Sequence, residues 1–385
     1  MTTVTYDTNG TEAGTGALPG SSVRAAAQCA GRYAQFAQQE RTLHPEVHAA
    51  LVHAGFARHF APQRLGGAGG GFAELLAAVA LVGEECASAA WWASLQAAHA
   101  RLAGQLPEAA RNDIWGDGPD PALAAAVVPP AGELTPVPGG ALLSGRWSAA
   151  SGVDHAQWVL LAVPGREPGI EHHRVLVVPR ADIRVHDSWY TSGMRGTGSR
   201  TLSVDGVFVP EHRIMARTSM ARGSTEPGAD HCHRLPYQLV AALLFAAPAL
   251  GAARGALRAW TDLTRQRLTP QGASALAGAD AQDLLARSSG RIDAAGLLLE
   301  RAARRADSAT PDPAAVALNL RDVAAAVDLL VEAVEQLLRR GGLRAQTEDC
   351  PLQRHWRDIH AIAAHAALQP ATAAEAYGAL VLAEG

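Results

Sequence analysis

A chain of 385 residues with 48% hydrophobic content is long enough to bury a large core across roughly two to three domains. All 33 of its Lys+Arg positions are arginine, since no lysine occurs, and this excludes a phosphate-loop nucleotidase, a pyridoxal Schiff base and a Ser-Lys hydrolase. Against 37 Asp+Glu the net charge is -4, so no positive field attracts nucleic acid or an anionic membrane surface.

The first twenty residues are polar and rich in Gly and Thr, with no charged segment followed by an apolar one, and read as a disordered tail (1–20) without a secretory signal. From Ser21 to about Trp115 the pattern is helical and marks an N-terminal domain, 21–118. Ser21 and Ser22 can cap a first helix, His44 and Pro45 put proline at a first helical position, and Gly55 can stop that second helix. A glycine-rich loop, Leu65 to Gly71, precedes two alanine-rich helices, Phe72 to Ala87 and Ala89 to Leu106.

Past Asp117 the texture changes. Short β-branched runs, Trp158 to Val163, Val175 to Val178 and Leu202 to Val209, are punctuated by Pro, Gly and Asp, which predicts an antiparallel β domain over 119–217. Helical periodicity then returns over 218–385 in long segments, Pro236 to Arg267, Ala273 to Ala306, Pro313 to Arg340 and Pro351 to Leu368, which read as a four-helix bundle. The fold class is therefore α+β in the order helices, sheet, helices. No βαβ alternation occurs, and neither Gly66 to Gly71 nor Gly193 to Gly198 satisfies GxGxxG, so no nicotinamide fingerprint is present. The longest apolar stretch, Leu239 to Ala253, is interrupted by Pro248 and Gly251 and falls short of the roughly 20 residues of a spanning helix.

Cys29, Cys86, Cys232 and Cys350 stand far apart, in neither a metal spacing nor a disulfide scaffold, which fits a reducing cytoplasm. His44, Glu46 and His48, and the loop pair His231 and His233 flanking Cys232, match neither the metalloprotease nor the deaminase spacing, so no metal site is expected.

Three motifs carry a resemblance. Trp147, Ser151, Gly152, His155 and Trp158 stand at W-x-x-x-S-G-x-x-H-x-x-W. Gly193 to Ser199 reads GxRGTGS and is followed by Val207 to Pro210, VFVP. Pro351 to His365 reads PLxRxWRDxxxxxxH, with Arg354, Trp356, Arg357 and Asp358 at its fixed positions. Together they resemble the acyl-CoA dehydrogenase fold and, within it, the two-component flavin-dependent monooxygenases of the p-hydroxyphenylacetate hydroxylase type. Acyl-CoA dehydrogenases need a carboxylate base, yet Ile359 to Ala374 and Leu239 to Trp260 contain no Asp or Glu. The hydroxylase branch has a histidine at the end of the third motif, and His365 matches it.

The resemblance implies an oxidoreductase, the oxygenase component, that takes reduced FMN or FAD from a separate reductase and uses O2 through a C4a-hydroperoxyflavin to oxygenate an aromatic or natural-product substrate. It implies that Ser151 sits near the flavin N5, with Trp147, Gly152 and His365 also at the cofactor. The turn residues Arg195, Gly196, Thr197 and Ser199 are then expected at its phosphate or ribityl chain, Arg195 because a guanidinium grips phosphate with two donors. For the substrate it implies His99, which could orient or deprotonate a phenol, together with Trp92 and His155. A homotetramer in the cytoplasm, with no membrane or nucleic-acid partner, completes the expectation. The same scaffold also hosts dehydrogenases, N- and S-oxygenases and non-redox members, which differ in the pocket.

Overall fold

The computed structural model describes residues 17–165, 169, 172–267, 278–308, 310 and 312–382. Residues 1–16 of the expected tail lie outside them. The first helix, α1 (Gly20–Arg32), starts ahead of the expected serine caps, with Pro19 as its N-cap and no side-chain cap. After α2 (Ala34–Glu40), helix α3 (Pro45–His53) has Pro45 in its first turn, and the His44 ring accepts the Glu46 N–H. Helices α4 (Phe72–Gly83), α5 (Ala87–Ala103) and α6 (Glu108–Trp115) follow.

Among the described residues, eight strands make two sheets. One has the order β1-β4-β5-β8, from β1 (Leu123–Ala126), β4 (Trp158–Val163), β5 (Arg174–Pro179) and β8 (Ile214–Ala216). The other has the order β2-β3-β7-β6, from β2 (Glu133–Val137), β3 (Gly140–Ala150), β7 (Arg200–Pro210) and β6 (Arg184–His186). The β domain is not wholly antiparallel as expected: β1 and β4 pair in parallel. Between them the chain leaves for the second sheet, builds the β2-β3 hairpin and returns, which brings β4 back in the direction of β1.

The two sheets face each other through Leu143, Trp147, Val159, Leu161, Leu176 and Leu202. The alternate residues of the first sheet, Leu160, Ala162, Val175 and Val177, pack with Leu102, Leu106, Ile114 and Trp115 of the N-terminal helices. Strands β4 and β5 are buried on both faces, which is why they read as unbroken apolar runs. Strands β2 and β3 lacked that signal because the outer face of their sheet meets solvent, where Leu142 and Phe208 are exposed.

Beyond α7 (Arg217–Arg222) and α8 (His231–Arg234), the C-terminal part is built on α9 (Tyr237–Arg267), α10 (Ala279–Ser308), α11 (Pro313–Arg339) and α12 (Pro351–Ala363), followed by α13 (Pro370–Leu382). At 31 residues, α9 matches the expected helix Pro236 to Arg267 to within one residue; contrary to the reading of its interrupted apolar run, it is long and apolar enough to cross a membrane, but 89% of its most apolar window is buried within the protein. It packs against α4, α5, α10, α11 and α12. Asp312 caps α11 by accepting the Ala315 N–H, with Pro313 in the first turn. The expected helix Pro351 to Leu368 ends early, at Ala363.

Helices α4 and α9 touch backbone to backbone. A Cβ on Gly251 would lie 2.2 Å from the Ala80 carbonyl oxygen and 2.6 Å from the Gly83 Cα. Nothing larger than glycine fits without separating the helices. Gly251→Ala should therefore destabilise the protein by about 1–3 kcal/mol, seen as a lower Tm. The control Gly296→Ala, on α10 with its nearest neighbour 3.7 Å from the added Cβ, should raise stability by about 0.5–1 kcal/mol.

Candidate functional site

Two turns of the β domain meet beneath α5. The first follows a register irregularity at the end of β3, where Ala149 has φ 60°, and carries Ser151 and Gly152. Gly152 adopts φ +72° and donates its N–H to the Thr197 carbonyl at 2.8 Å. The second turn, 193–199, has Met194 at φ 55° and Gly198 at φ 53°. Its left-handed Met194 is held from outside: the Asp358 carboxylate on α12, 1% exposed, accepts the Met194 N–H at 2.6 Å. Burial pushes the Asp358 carboxyl up, while the Met194 N–H and the guanidinium groups of Arg354 and Arg357 oppose that shift. Gly196 lies under α2 and α5, where a Cβ would reach 2.7 Å from Ala37 and 3.0 Å from Ser88.

Across the junction runs a line of hydroxyls. The Trp91 indole N–H donates to Ser151 Oγ at 3.2 Å. Ser151 Oγ lies 2.7 Å from Ser199 Oγ, Ser199 Oγ lies 2.7 Å from Thr197 Oγ1, and Thr197 donates to the Met194 carbonyl at 2.9 Å. On the other side of Trp91 stands His365, ring centroids 5.6 Å apart at 64°, stacked on Phe245 at 3.9 Å and 28°. The early end of α12 creates this position. His365 is the N-cap of the short turn Ala366–Leu368, and its Nδ1 accepts the Ala367 N–H at 3.2 Å. Burial lowers its pKa, so the ring is neutral at pH 7 and carries its proton on Nε2. His365 therefore keeps a donor at Nε2.

The structure thus brings together Ser151, Gly152, Thr197, Ser199 and His365. It places Trp147 elsewhere: the indole is 2% exposed in the core between the sheets and donates to the Ala162 carbonyl at 2.9 Å, so it buttresses the turn from beneath and does not border the junction. Trp92 and His155 stand behind Gly152. The Trp92 ring would be 2.6 Å from a Cβ there, and it meets His48 edge-on at 5.0 Å. His48 in turn stacks on His155 at 4.6 Å, and His155 donates to the Leu43 carbonyl at 3.1 Å. The tryptophan that touches Ser151 is Trp91, its neighbour. Successive residues on a helix point about 100° apart, and the WW pair alone cannot say which ring faces the turn.

His99 is buried two turns further along α5 and donates from Nδ1 to the Leu123 carbonyl at 2.9 Å, beside Gln96, which bonds both backbone groups of Leu123. Burial lowers its pKa to about 4, so it is a poor base for a phenol. Its Nε2 lone pair remains as an acceptor. Among the described residues no cluster of His, Cys, Asp and Glu could hold a metal ion. His44 stacks on Tyr33 at 3.8 Å, and His231 and His233 bond the Ala306 and Phe60 carbonyls.

The residues present fit a flavin. The Arg195 side chain makes no hydrogen bond or ion pair among the described residues, and its Nε is buried without a partner. Trp92 Nε1 and Ser88 Oγ are likewise buried and unpaired beside the two turns. Unsatisfied donors around a glycine-lined junction, with an aromatic wall of Trp91 and Phe245, are what a flat heterocycle with a phosphate tail requires.

Residues 243–370 match the model of the acyl-CoA dehydrogenase C-terminal domain. The chain is 31% identical to the flavin-dependent monooxygenase oxygenase subunit HsaA of Rhodococcus jostii (strain RHA1), over 90% of this chain and 93% of that one. It is 33% identical to the oxygenase component of the FADH2-dependent resorcinol hydroxylase of Rhizobium sp. (strain MTP-10005), covering 82% of each. Among solved structures, 3-HSA hydroxylase from Rhodococcus sp. RHA1 superposes with a TM-score of 0.86 at 28% identity, over 94% of this chain and 96% of that one. XiaF from Streptomyces sp., solved with FADH2 and glycerol, gives 0.84 at 26% identity, over 94% and 95%.

Because His99 titrates near 4 when folded and near the ordinary 6.5 when unfolded, unfolding below pH 6.5 takes up a proton. Its contribution to stability is complete above about pH 6.5 and is lost as pH falls toward 4. His99→Gln, whose amide can still donate to Leu123, should make the slope of unfolding free energy against pH in that window shallower by about one proton. Urea denaturation across a pH series measures it.

Proposed function

The chain belongs to the family of flavin-dependent monooxygenase oxygenase subunits, and on that premise we propose that it oxygenates an electron-rich aromatic substrate, a phenol foremost, at the junction between the Ser151 turn and His365. It is the reduced-flavin-dependent oxygenase component of a two-component system, with O2 as co-substrate. The observation that carries the reading is the convergence of Ser151, Trp91 and His365 where a dehydrogenase would need a carboxylate, while Ile359 to Ala374 and Leu239 to Trp260 supply none.

When bound, reduced flavin with O2 supplies an electrophilic oxygen atom. The chain's own residues bind, orient and exclude water. Ser151 Oγ and the His365 Nε2–H offer an acceptor and a donor on either side of the Trp91 ring. The Arg195 guanidinium is the residue for a phosphate, able to give two parallel donors. The His99 Nε2 lone pair can accept a substrate hydroxyl and aim the ring. It does so by orientation, since a pKa of about 4 leaves little drive for proton removal. Trp91 and Phe245 keep water from the reacting centre.

A separate reductase is the transient partner, because no dinucleotide fingerprint occurs in the sequence. A cytoplasmic homotetramer serving natural-product biosynthesis belongs to the same proposal, and α10 leaves Leu297, 68% exposed, available for contact between subunits.

The test supplies chemically reduced FMN or FAD, isotopically labelled O2 and a panel of phenols. One labelled oxygen atom in the product is expected, whereas flavin reoxidation with no oxygen incorporated into any phenol overturns the substrate class. The purified chain alone should not oxidise NADH. Ser151→Ala and His365→Phe each remove one half-buried hydrogen-bonding group and should lower product formed per O2 consumed by about 2–10-fold, with the remainder released as hydrogen peroxide.

A further inference from the structure

We propose that the hydroxyl line from Trp91 through Ser151, Ser199 and Thr197 to the Met194 carbonyl fixes Ser151 as a hydrogen-bond acceptor, so that Ser199 and Thr197 act as positioning residues that make the site select reduced over oxidised flavin. The proposal rests on the reading that Ser151 faces the flavin N5.

Each hydroxyl owns one proton, and the two ends of the line have no choice of role. An indole N–H only donates and a carbonyl oxygen only accepts. With every proton pointing from Trp91 toward Met194, the line makes four hydrogen bonds, at 3.2, 2.7, 2.7 and 2.9 Å. Reversing the hydroxyls leaves three. The Thr197 proton then turns to Ser199 and the Ser199 proton to Ser151, and the Ser151 proton has no partner in the protein. The Met194 oxygen also receives the Trp189 indole N–H at 3.1 Å and the Thr197 N–H at 3.2 Å, and the hydroxyl is the shortest of the three. Thr197 and Ser199 are 3% and 5% exposed, so water does not readily replace the lost bond. The terminal acceptor is itself immobilised, because Asp358 holds the Met194 N–H at 2.6 Å.

In this state Ser151 has given its proton to Ser199 and accepts from Trp91. One lone pair is left. It suits N5–H of a reduced flavin. An oxidised flavin presents a bare lone pair at N5, and Ser151 can donate to it only at the cost of one hydrogen bond in the line, either its own to Ser199 or, with the hydroxyls reversed, that of Thr197 to the Met194 carbonyl. The difference is one hydrogen bond, worth about 2- to 10-fold in relative affinity. An oxygenase component fed by a diffusing reductase gains directly, since spent oxidised flavin competes less for the site.

The experiment measures Kd of the full-length protein for oxidised FMN aerobically and for dithionite-reduced FMN anaerobically, by fluorescence titration, for wild type, Ser199→Ala, Thr197→Val, Thr197→Ser and Ser151→Ala. Thermal melts establish folding, and Thr197→Val, which keeps the side-chain shape, carries the test should Ser199→Ala not fold. Either substitution frees the Ser151 proton, so the oxidised-to-reduced Kd ratio should fall by about 2- to 10-fold, chiefly through tighter oxidised-flavin binding. Thr197→Ser should keep the wild-type ratio. If Ser151→Ala changes the ratio while Ser199→Ala and Thr197→Val leave it at the wild-type value, the hydroxyl line is overturned and the placement of Ser151 stands. If Ser151→Ala also leaves it unchanged, Ser151 does not face N5 and the underlying reading falls with it.

Discussion

One buried carboxylate holds the site in shape. Asp358, on α12, accepts the N–H of Met194 in the β domain, 164 residues away in sequence. Met194 sits in a left-handed conformation that a non-glycine residue adopts only when its surroundings hold it there. With its N–H taken by Asp358, its carbonyl turns to Thr197 and Trp189. Gly193 lets the turn approach so closely that a Cβ would lie 2.1 Å from the Arg357 carbonyl. The cost of burying Asp358 is offset in part by this short bond and by two neighbouring guanidinium groups. Helix α12, the turn 193–199 and, through Gly196, helices α2 and α5 are fixed against one another at that point.

The junction so held is chemically asymmetric. His365 is neutral because it is buried and donates from Nε2 because Ala367 occupies its other nitrogen. Ser151 receives Trp91 and passes its proton inward. Neither group relies on a charge, and so neither needs water or a counter-ion nearby.

The absence of lysine shapes the rest. Arginine takes up structural work at buried positions, where its fork matches two acceptors at once. Arg101, 1% exposed, bonds the carbonyls of Cys232 and Leu235. Arg301, Arg305 and Arg321 converge on the buried Asp322. Arg195 stands apart from this pattern, its side chain making no bond among the described residues, at the edge of the turn that Asp358 holds.

The order of helices, sheet and helices was legible in the sequence because periodicity changes sharply near Asp117 and again after Met215, and the three motifs pointed to the fold and to Ser151 and His365. Strands β2 and β3 were not legible, since an edge sheet with one wet face has no unbroken apolar run. Nor was the parallel β1-β4 pair, which depends on where the chain returns from the second sheet. Which tryptophan meets Ser151, and that Trp147 lies between the sheets, depend on helix rotation and strand register, which no local pattern states. Sequence by itself determined the residue types, their motifs and the missing carboxylate base. Only the tertiary structure decided which protons are donated and which lone pairs are left, because a hydrogen bond's direction is set by partners brought together from distant parts of the chain.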